Sequence, residues 1–429
     1  MARRRRQQGV GIWAILSDRR VAAVVLVVFI VMAGAGLVLP ILPLFARSFG
    51  VGYGAVGLLV SAYGLARLVF DLVAGPVVDR FGERAAAVGG LALIGVGSAL
   101  TGAAGSYGVA VVTWATAGVG SAIALAAVYT RLLRVVPTRQ MARTLGIFYG
   151  AFNTGFVAGG AASGLVADRF GLAGPLLANA AVVALAALLW LSLVPARRRP
   201  EVAPGQAPPA GQTTPTAGQA PPAGEAPPGR GRGWSLRRLL RTPSLVPVLV
   251  TNFAYLWMVA VVFDTLVPLF ASDELGLSTV GIGVLFAVAL AAEFVVLYPA
   301  GSAADQHGRK PVLVPALAGL AVATAAVGWA PTPLLLGILL AVLGVMSGTA
   351  GVPPGAMLSD VAPTQASGTA VGVFRFCGDL GFTLGPLLAG WSVPALGFRW
   401  AFALAAVPTV VALGLILRTP ETLRPAEVG

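Results

Sequence analysis

Apolar residues run along this chain in long blocks broken by short polar stretches. A membrane-crossing helix needs about 20 mainly apolar residues at a rise of about 1.5 Å each. Twelve blocks meet that length: α1 (21–45), α2 (54–78), α3 (85–104), α4 (107–133), α5 (143–167), α6 (172–195), α7 (245–270), α8 (279–303), α9 (311–330), α10 (333–357), α11 (367–391) and α12 (397–417). They fall into two groups of six, residues 21–195 and 244–418. Between them, residues 196–243 hold a Pro-, Gly-, Ala- and Gln-rich stretch with too few apolar groups to offset the entropy of ordering it, which predicts a disordered linker. Trp234 to Leu240 at its end reads as a short basic amphipathic helix at a membrane surface. Residues 1–20 form a basic tail and 419–429 a second tail, and the absence of a small-residue cleavage site makes α1 an uncleaved signal anchor.

Composition agrees: 57% of residues are hydrophobic and 10% charged, too few charges to coat a soluble chain of 429 residues. The net charge of +13 does not form one face, which argues against a nucleic-acid partner. Its basic residues cluster in alternate loops. With the N-terminus in the cytoplasm, Arg80, Arg84, Arg131, Arg134, Arg139, Arg143, Arg309, Lys310 and Arg418 all fall inside, and Arg47, Arg169 and Arg399 remain outside. That bias predicts a multi-pass protein of a cell membrane, bacterial in type, with both termini cytoplasmic. One cysteine, Cys377, and one histidine, His307, leave no multi-cysteine metal site or histidine-based nucleophile set. No glycine-rich loop ends in Lys-Ser or Lys-Thr, so ATP is not expected, and neither is a cofactor. An enzyme would need a nucleophile–base or metal set within the spans, and a receptor would need a folded extramembrane domain; neither pattern is present.

The two halves repeat at a constant offset of 226 residues. Gly50, Gly57, Gly75, Asp79, Gly82 and Arg84 fall on Gly276, Gly283, Gly301, Asp305, Gly308 and Lys310. Gly118, Gly155, Gly159 and Gly164 fall on Gly344, Gly381, Gly385 and Gly390. Six spans per half give both halves the same orientation. The expected fold is an all-α membrane protein with twelve transmembrane helices in two six-helix bundles, related by a pseudo-two-fold axis along the membrane normal.

The loop after α2 reads Gly75-Pro-Val-Val-Asp79-Arg80-Phe81-Gly82-Glu83-Arg84, with a degenerate copy at Gly301, Asp305, Gly308 and Lys310. It resembles the G-x-x-x-D-R-x-G-R-R signature of the major facilitator superfamily, departing at Glu83. Physically, an Asp at a helix end is suited to the positive N-terminus of a neighbouring helix, and the glycines to a tight turn and close helix approach. The resemblance implies a conformational switch, with Asp79 docking at the start of α11. In α5, Gly155, Gly159, Gly160, Ser163 and Gly164 resemble the superfamily's antiporter signature with Gly160 in place of its Pro and Ser163 in place of a Gly, and α11 carries Gly381, Gly385, Pro386 and Gly390 in register. Small residues four apart allow close helix packing. The superfamily's proton-linked exporters usually carry an Arg in α4 where this chain has Trp114.

Ionisable groups at membrane depth are costly and mark candidate sites. Asp264 in α7 and Glu293 in α8 are candidates to carry a proton or meet a cationic substrate; Trp114, Asn153, Asn252, Tyr255 and Trp257 read equally as cavity-lining groups or as helix-packing residues. Arg67 and Asp71 in α2, and Arg375 and Asp379 in α11, are each four residues apart. Each pair is able to neutralise itself on one helix face, or the two pairs meet as an interdomain charge cluster with Arg67 opposite Asp379 and Asp71 opposite Arg375. The reading is a monomeric secondary active transporter working by alternating access in a lipid bilayer. It moves a small-molecule substrate, with protons as candidate coupling ion, and most resembles the superfamily's drug exporters. A carrier of one metabolite, such as a sugar or organic acid, is the alternative, and a transport-dead receptor the remote one.

Overall fold

The structure, a computed structural model, describes residues 17–136, 141–194, 241–242, 244–362 and 367–423. The basic tail before residue 17, the linker with Trp234 to Leu240, and the last six residues lie outside the described residues. Among the described residues, nine helical runs are long and apolar enough to cross a membrane. Two of them hold two crossings each. Tyr53–Gly102 contains α2 and α3, joined at Gly82 with φ 79°. Ala370–Arg418 contains α11 and α12, joined at Gly397 with φ 76°. A positive φ is a backbone state that glycine adopts without steric cost, so a chain reversal fits where no loop intervenes. Met141–Phe170, thirty residues long, is α5. Nine runs, two of them double, and α5 make the twelve crossings.

Proline and local polar groups shape individual spans. In α1, Arg19–Val38 is capped by the Asp18 carboxylate and continues as the short helix Leu42–Arg47. In α10, Pro333–Gly351 is followed by Pro353–Val361, with Pro at the start of both pieces, where its missing N–H costs nothing. α7 is unusual: Leu245–Met258 and Val267–Asp273 flank a π-helical stretch, Val259–Leu266. The Thr265 hydroxyl donates to the Ala260 carbonyl at 2.9 Å inside it. Such wide turns rotate the side chains that follow, and here the rotated residues include Asp264.

The repeat is visible as repeated contacts. A Cβ at Gly118 of α4 would strike the carbonyl of Tyr63, and a Cβ at Gly344 of α10 that of Ala289, its counterpart 226 residues on. Arg84 donates to the Leu191 carbonyl at 2.7 Å, and Lys310 to the Leu417 carbonyl at 2.8 Å. Both cations cap the carbonyl end of the last helix of their bundle, where the helix dipole favours positive charge. The loops carrying Arg84 and Lys310 mark one end of the molecule, the basic end. The loops around residues 50 and 276 mark the far end.

Candidate functional site

The two bundles meet at the far end through backbone approach. A Cβ at Gly164 of α5 would clash with the Thr279 carbonyl of α8, and one at Gly390 of α11 with the Tyr53 carbonyl of α2. These contacts are the same pair of positions in the two repeats. Gly57 approaches the Pro386 carbonyl as closely. Lower in α5 and α11, Gly155 and Gly159 pack on α1, and Gly381 and Gly385 on α7, inside their own bundles. At the basic end the pattern reverses: around Gly75, Gly150 and Gly372 nothing among the described residues lies within 4 Å of an added Cβ, and Tyr298 of α8 is 86% exposed. The far end is closed, and the basic end of the seams stands open.

A polar latch reinforces the far closure. The Tyr53 hydroxyl donates to Asp273 at 2.7 Å, and Arg47 lies 3.7 Å from the same carboxylate and 4.6 Å from the centre of the Tyr53 ring. Arg47 and Asp273 are themselves repeat-equivalent, so the pseudo-two-fold brings one position into contact with its own copy, once as a cation and once as an anion.

Between the bundles lies a cavity of about 410 Å³ lined by spans from both halves. Its wall is aromatic and aliphatic, with Phe152, Phe156, Phe263, Phe286 and Phe382 among the rings. Its charged members are Arg67, Asp264, Glu293 and Asp379. Arg67 lies 3.6 Å from Asp379 across the α2–α11 seam and 3.8 Å from Asp71 on its own helix, so one guanidinium serves two carboxylates. Arg375 instead lies over the Tyr129 ring at 5.8 Å, and no ion pair joins it to Asp71 among the described residues. Of the four charges, Arg67, Asp71 and Asp379 pair directly, while Arg375 lies against an aromatic face of α4 and still acts on Asp71 through its field.

Asp264 is 2% exposed, and its Oδ2 has no hydrogen-bond partner among the described residues. Glu293 accepts a long hydrogen bond, 3.4 Å, from Tyr255, whose hydroxyl is 3.5 Å from that of Ser347. Asn153 and Tyr255 line the cavity. Trp114 and Asn252 are not among its lining residues and take the packing alternative. Trp114 is buried behind Tyr63, with ring centres 5.0 Å apart. Asn252 faces α11 and donates to the Phe374 carbonyl at 2.7 Å. Trp257 likewise packs, donating to the Ala405 carbonyl at 3.1 Å.

In the signature loop, Gly82 and Gly308 take φ of 79° and 103° and make the turn. Gly75, Gly301 and Asp79 make no close interbundle contact; Asp79 is exposed and has no hydrogen bond or ion pair among the described residues. Arg80 lies over Phe81, and Asp305 pairs with Arg309. The residue that departs from the signature proves to be a hub. Glu83, 6% exposed, pairs with Arg131 at 3.2 Å and with Arg134. Its repeat counterpart is Arg309, which lies 3.4 Å from Asp360, the counterpart of Arg134. The same intrabundle ion pair thus occurs in both halves with its charges exchanged. Counterparts of opposite charge at one offset, legible at 83/309 and 134/360, are the sequence signal for it.

Closed at one end, open at the other and hollow between two related bundles, the molecule has the architecture of an alternating-access carrier. Residues 24–296 and 271–428 match the model of the Major Facilitator Superfamily, and the chain belongs to that superfamily. It is a multi-pass membrane protein, from a family that moves small molecules and is not one of enzymes. Curated relatives include the quinolone resistance protein NorA of Staphylococcus aureus (strain MRSA252), 26% identical over 141 residues covering 33% of this chain and 36% of NorA. Another is multidrug resistance protein 2 of Bacillus subtilis (strain 168), 26% identical over 161 residues covering 38% of this chain and 40% of that protein. The chain thus matches well under half the length of these relatives. Solved structures with the same fold include a D-xylose-proton symporter, TM-score 0.72 at 14% identity, covering 95% of this chain and 99% of that one. A bacterial homolog of the human lysosomal transporter Spinster, in an inward-facing and occupied conformation, matches with TM-score 0.71 at 13% identity, covering 93% and 96%.

Proposed function

We propose that this protein is an exporter of small organic cations from the cytoplasm, driven by proton exchange. The observation that carries the reading is the charge balance of the cavity. Its only lining cation, Arg67, is already held by Asp379 and Asp71, while Asp264 and Glu293 face an aromatic-rich space with no basic partner within ion-pair distance among the described residues. A carboxyl in such a wall either holds a proton or faces a positive charge, so proton and cation compete for it, which is the requirement for exchange. The aromatic rings supply both apolar area and cation–π attraction. The drug-resistance names of the partial relatives support the same direction. The basic end, by the positive-inside rule, is the cytoplasmic one, which makes the arrangement described here inward-facing.

The test is uptake into inside-out proteoliposomes with an imposed pH gradient, using a panel of lipophilic cations, sugars and organic acids. Cations are expected to accumulate, with Glu293→Gln or Asp264→Asn abolishing the pH-driven part. Full pH-driven transport in both variants, or accumulation of only sugars or acids, sinks the reading.

A further inference from the structure

The two lateral seams of the carrier, α2 against α11 and α5 against α8, are equivalent under the repeat, as the matched approaches at Gly390–Tyr53 and Gly164–Thr279 demonstrate. Their cavity-facing chemistry is not. On the first seam Arg67 reaches across to Asp379 at 3.6 Å. The position equivalent to Arg67 on the second seam is Glu293, and the position equivalent to Asp379 is Asn153. Both line the cavity. The Asn153 side chain makes no hydrogen bond among the described residues, and the polar contacts of Glu293 there, the long one to Tyr255 and one to Ser347, stay within its own bundle. One seam therefore carries its own cation between two helices. The other presents a carboxylate and an amide carbonyl, two acceptors, at the matching places.

We propose that Asn153 and Glu293 form a binding seat for the cationic group of the substrate, which stands where the Arg67 guanidinium stands on the opposite seam and draws α5 and α8 together. This rests on the cation-export reading above and deepens it by placing the cation. Two acceptors on facing helices are bridged by a cation as Arg67 bridges Asp379 and Asp71, through charge-assisted hydrogen bonds or direct ion pairing. Substrate is then what completes the second seam, so closure of the basic end follows loading instead of preceding it. A ligand shifts a conformational equilibrium only by binding one state better than the other, and bridging supplies that difference.

The experiment uses the full-length protein in detergent, tetraphenylphosphonium as probe, and equilibrium binding with thermal unfolding as readouts. Asn153→Arg places a tethered guanidinium opposite Glu293. It is expected to weaken probe binding at least about tenfold, the scale of one charge pair in a partly buried site, and to raise the unfolding temperature. Adding Glu293→Gln should remove that rise. Ser121→Arg, an added charge elsewhere on the cavity wall, should weaken binding without any rise that depends on Glu293. Asn153→Asp should tighten binding several-fold. If Asn153→Arg leaves binding within about twofold of wild type, or if its stability does not depend on Glu293, the seat is not there, even though the wild type binds the cation. If the wild type binds no cation at all, the export reading falls, and this inference with it.

Discussion

Charge at the basic end is arranged residue by residue. Glu83 is the clearest case: nearly excluded from solvent, it is shared between Arg131 and Arg134. A buried ion pair adds little net stability against an apolar replacement, but removing one partner strands the other charge and costs about 3–5 kcal/mol. Glu83→Ala is therefore expected to lower stability by about 3 kcal/mol, measured by denaturant unfolding in micelles. Glu83→Arg should be worse, and Glu83→Arg combined with Arg131→Ala and Arg134→Asp, which copies the charge order of Arg309 and Asp360, should recover most of the loss. If that triple variant is no better than Glu83→Arg alone, the exchange of charges between the halves is not an equivalent solution. Glu421 makes a second, exposed device. Its carboxylate accepts from the backbone N–H groups of Arg309 and Lys310, each at 3.0 Å, and of Thr422 and Leu423, each at 2.9 Å. Partial burial pushes this carboxyl up, but the four N–H donors outweigh it and hold it below its ordinary value of 4.5. Because the folded value lies below the unfolded one, the docking of this tail is fully present above pH 4.5 and is lost as pH falls through the lower folded value. Hydrogen exchange at residues 419–423 should stay slow at pH 5 and quicken only in stronger acid. Glu421→Gln should make it fast throughout; slow exchange in that variant means the tail is held by something else.

At the level of elements, the far-end latch joins α1 and the start of α2 to the end of α7. Tyr53→Phe deletes the hydrogen bond to Asp273 without emptying space, a loss of about 0.5–1.5 kcal/mol. That shifts a two-state equilibrium two- to ten-fold toward the far-open form. Leu39 lines the cavity, and Cys377 is the one native cysteine. In a Leu39→Cys, Cys377→Ser background, labelling by an impermeant maleimide from the far side should accelerate by that factor in Tyr53→Phe and further in Asp273→Asn. Unchanged labelling in both means that the latch does not bias the gate. The spans themselves were legible because a length of about 20 apolar residues and a bias of arginine placement are one-dimensional signals. The seating of side chains was not. Trp114 and Asn252 have the polarity of cavity residues, but helix rotation set by packing turns one behind Tyr63 and the other onto α11. The π-helical turn that carries Asp264 depends on one extra residue per turn across Val259–Leu266, and nothing in that apolar, β-branched run distinguishes it from an α-helix. Depth along the helices places Arg375 level with Asp71, on which it acts through its field, but it does not show the Tyr129 ring from a third helix over which the guanidinium lies.

The whole molecule works as two copies of one bundle, and its symmetry makes a prediction that no single contact does. Gly164 meets Thr279 and Gly390 meets Tyr53 across opposite seams at the far end, in both cases with a helix backbone where a side chain would otherwise stand. Helix backbones come this close only when the facing residue is small. Both contacts belong to the far-closed state, because they are made between the two bundles, which on the export reading proposed above part there to release substrate. A valine at either position therefore opposes the far-closed state specifically, while the interior of each bundle, packed by Gly155, Gly159, Gly381 and Gly385, is untouched. Gly164→Val and Gly390→Val are expected to give the same phenotype: near-normal insertion, far-side labelling of Leu39→Cys raised at least about tenfold, and transport lost because the cycle stalls far-open. Valines at Gly155 or Gly381 would instead press α5 onto α1 or α11 onto α7 within one bundle, lowering the amount of folded protein without raising the labelling per folded molecule. The two far-end variants separate the gate from the scaffold only if they agree with each other. A large effect at Gly164 with none at Gly390 would mean that the seams do not close together, and that the halves move as unequal partners despite their shared design.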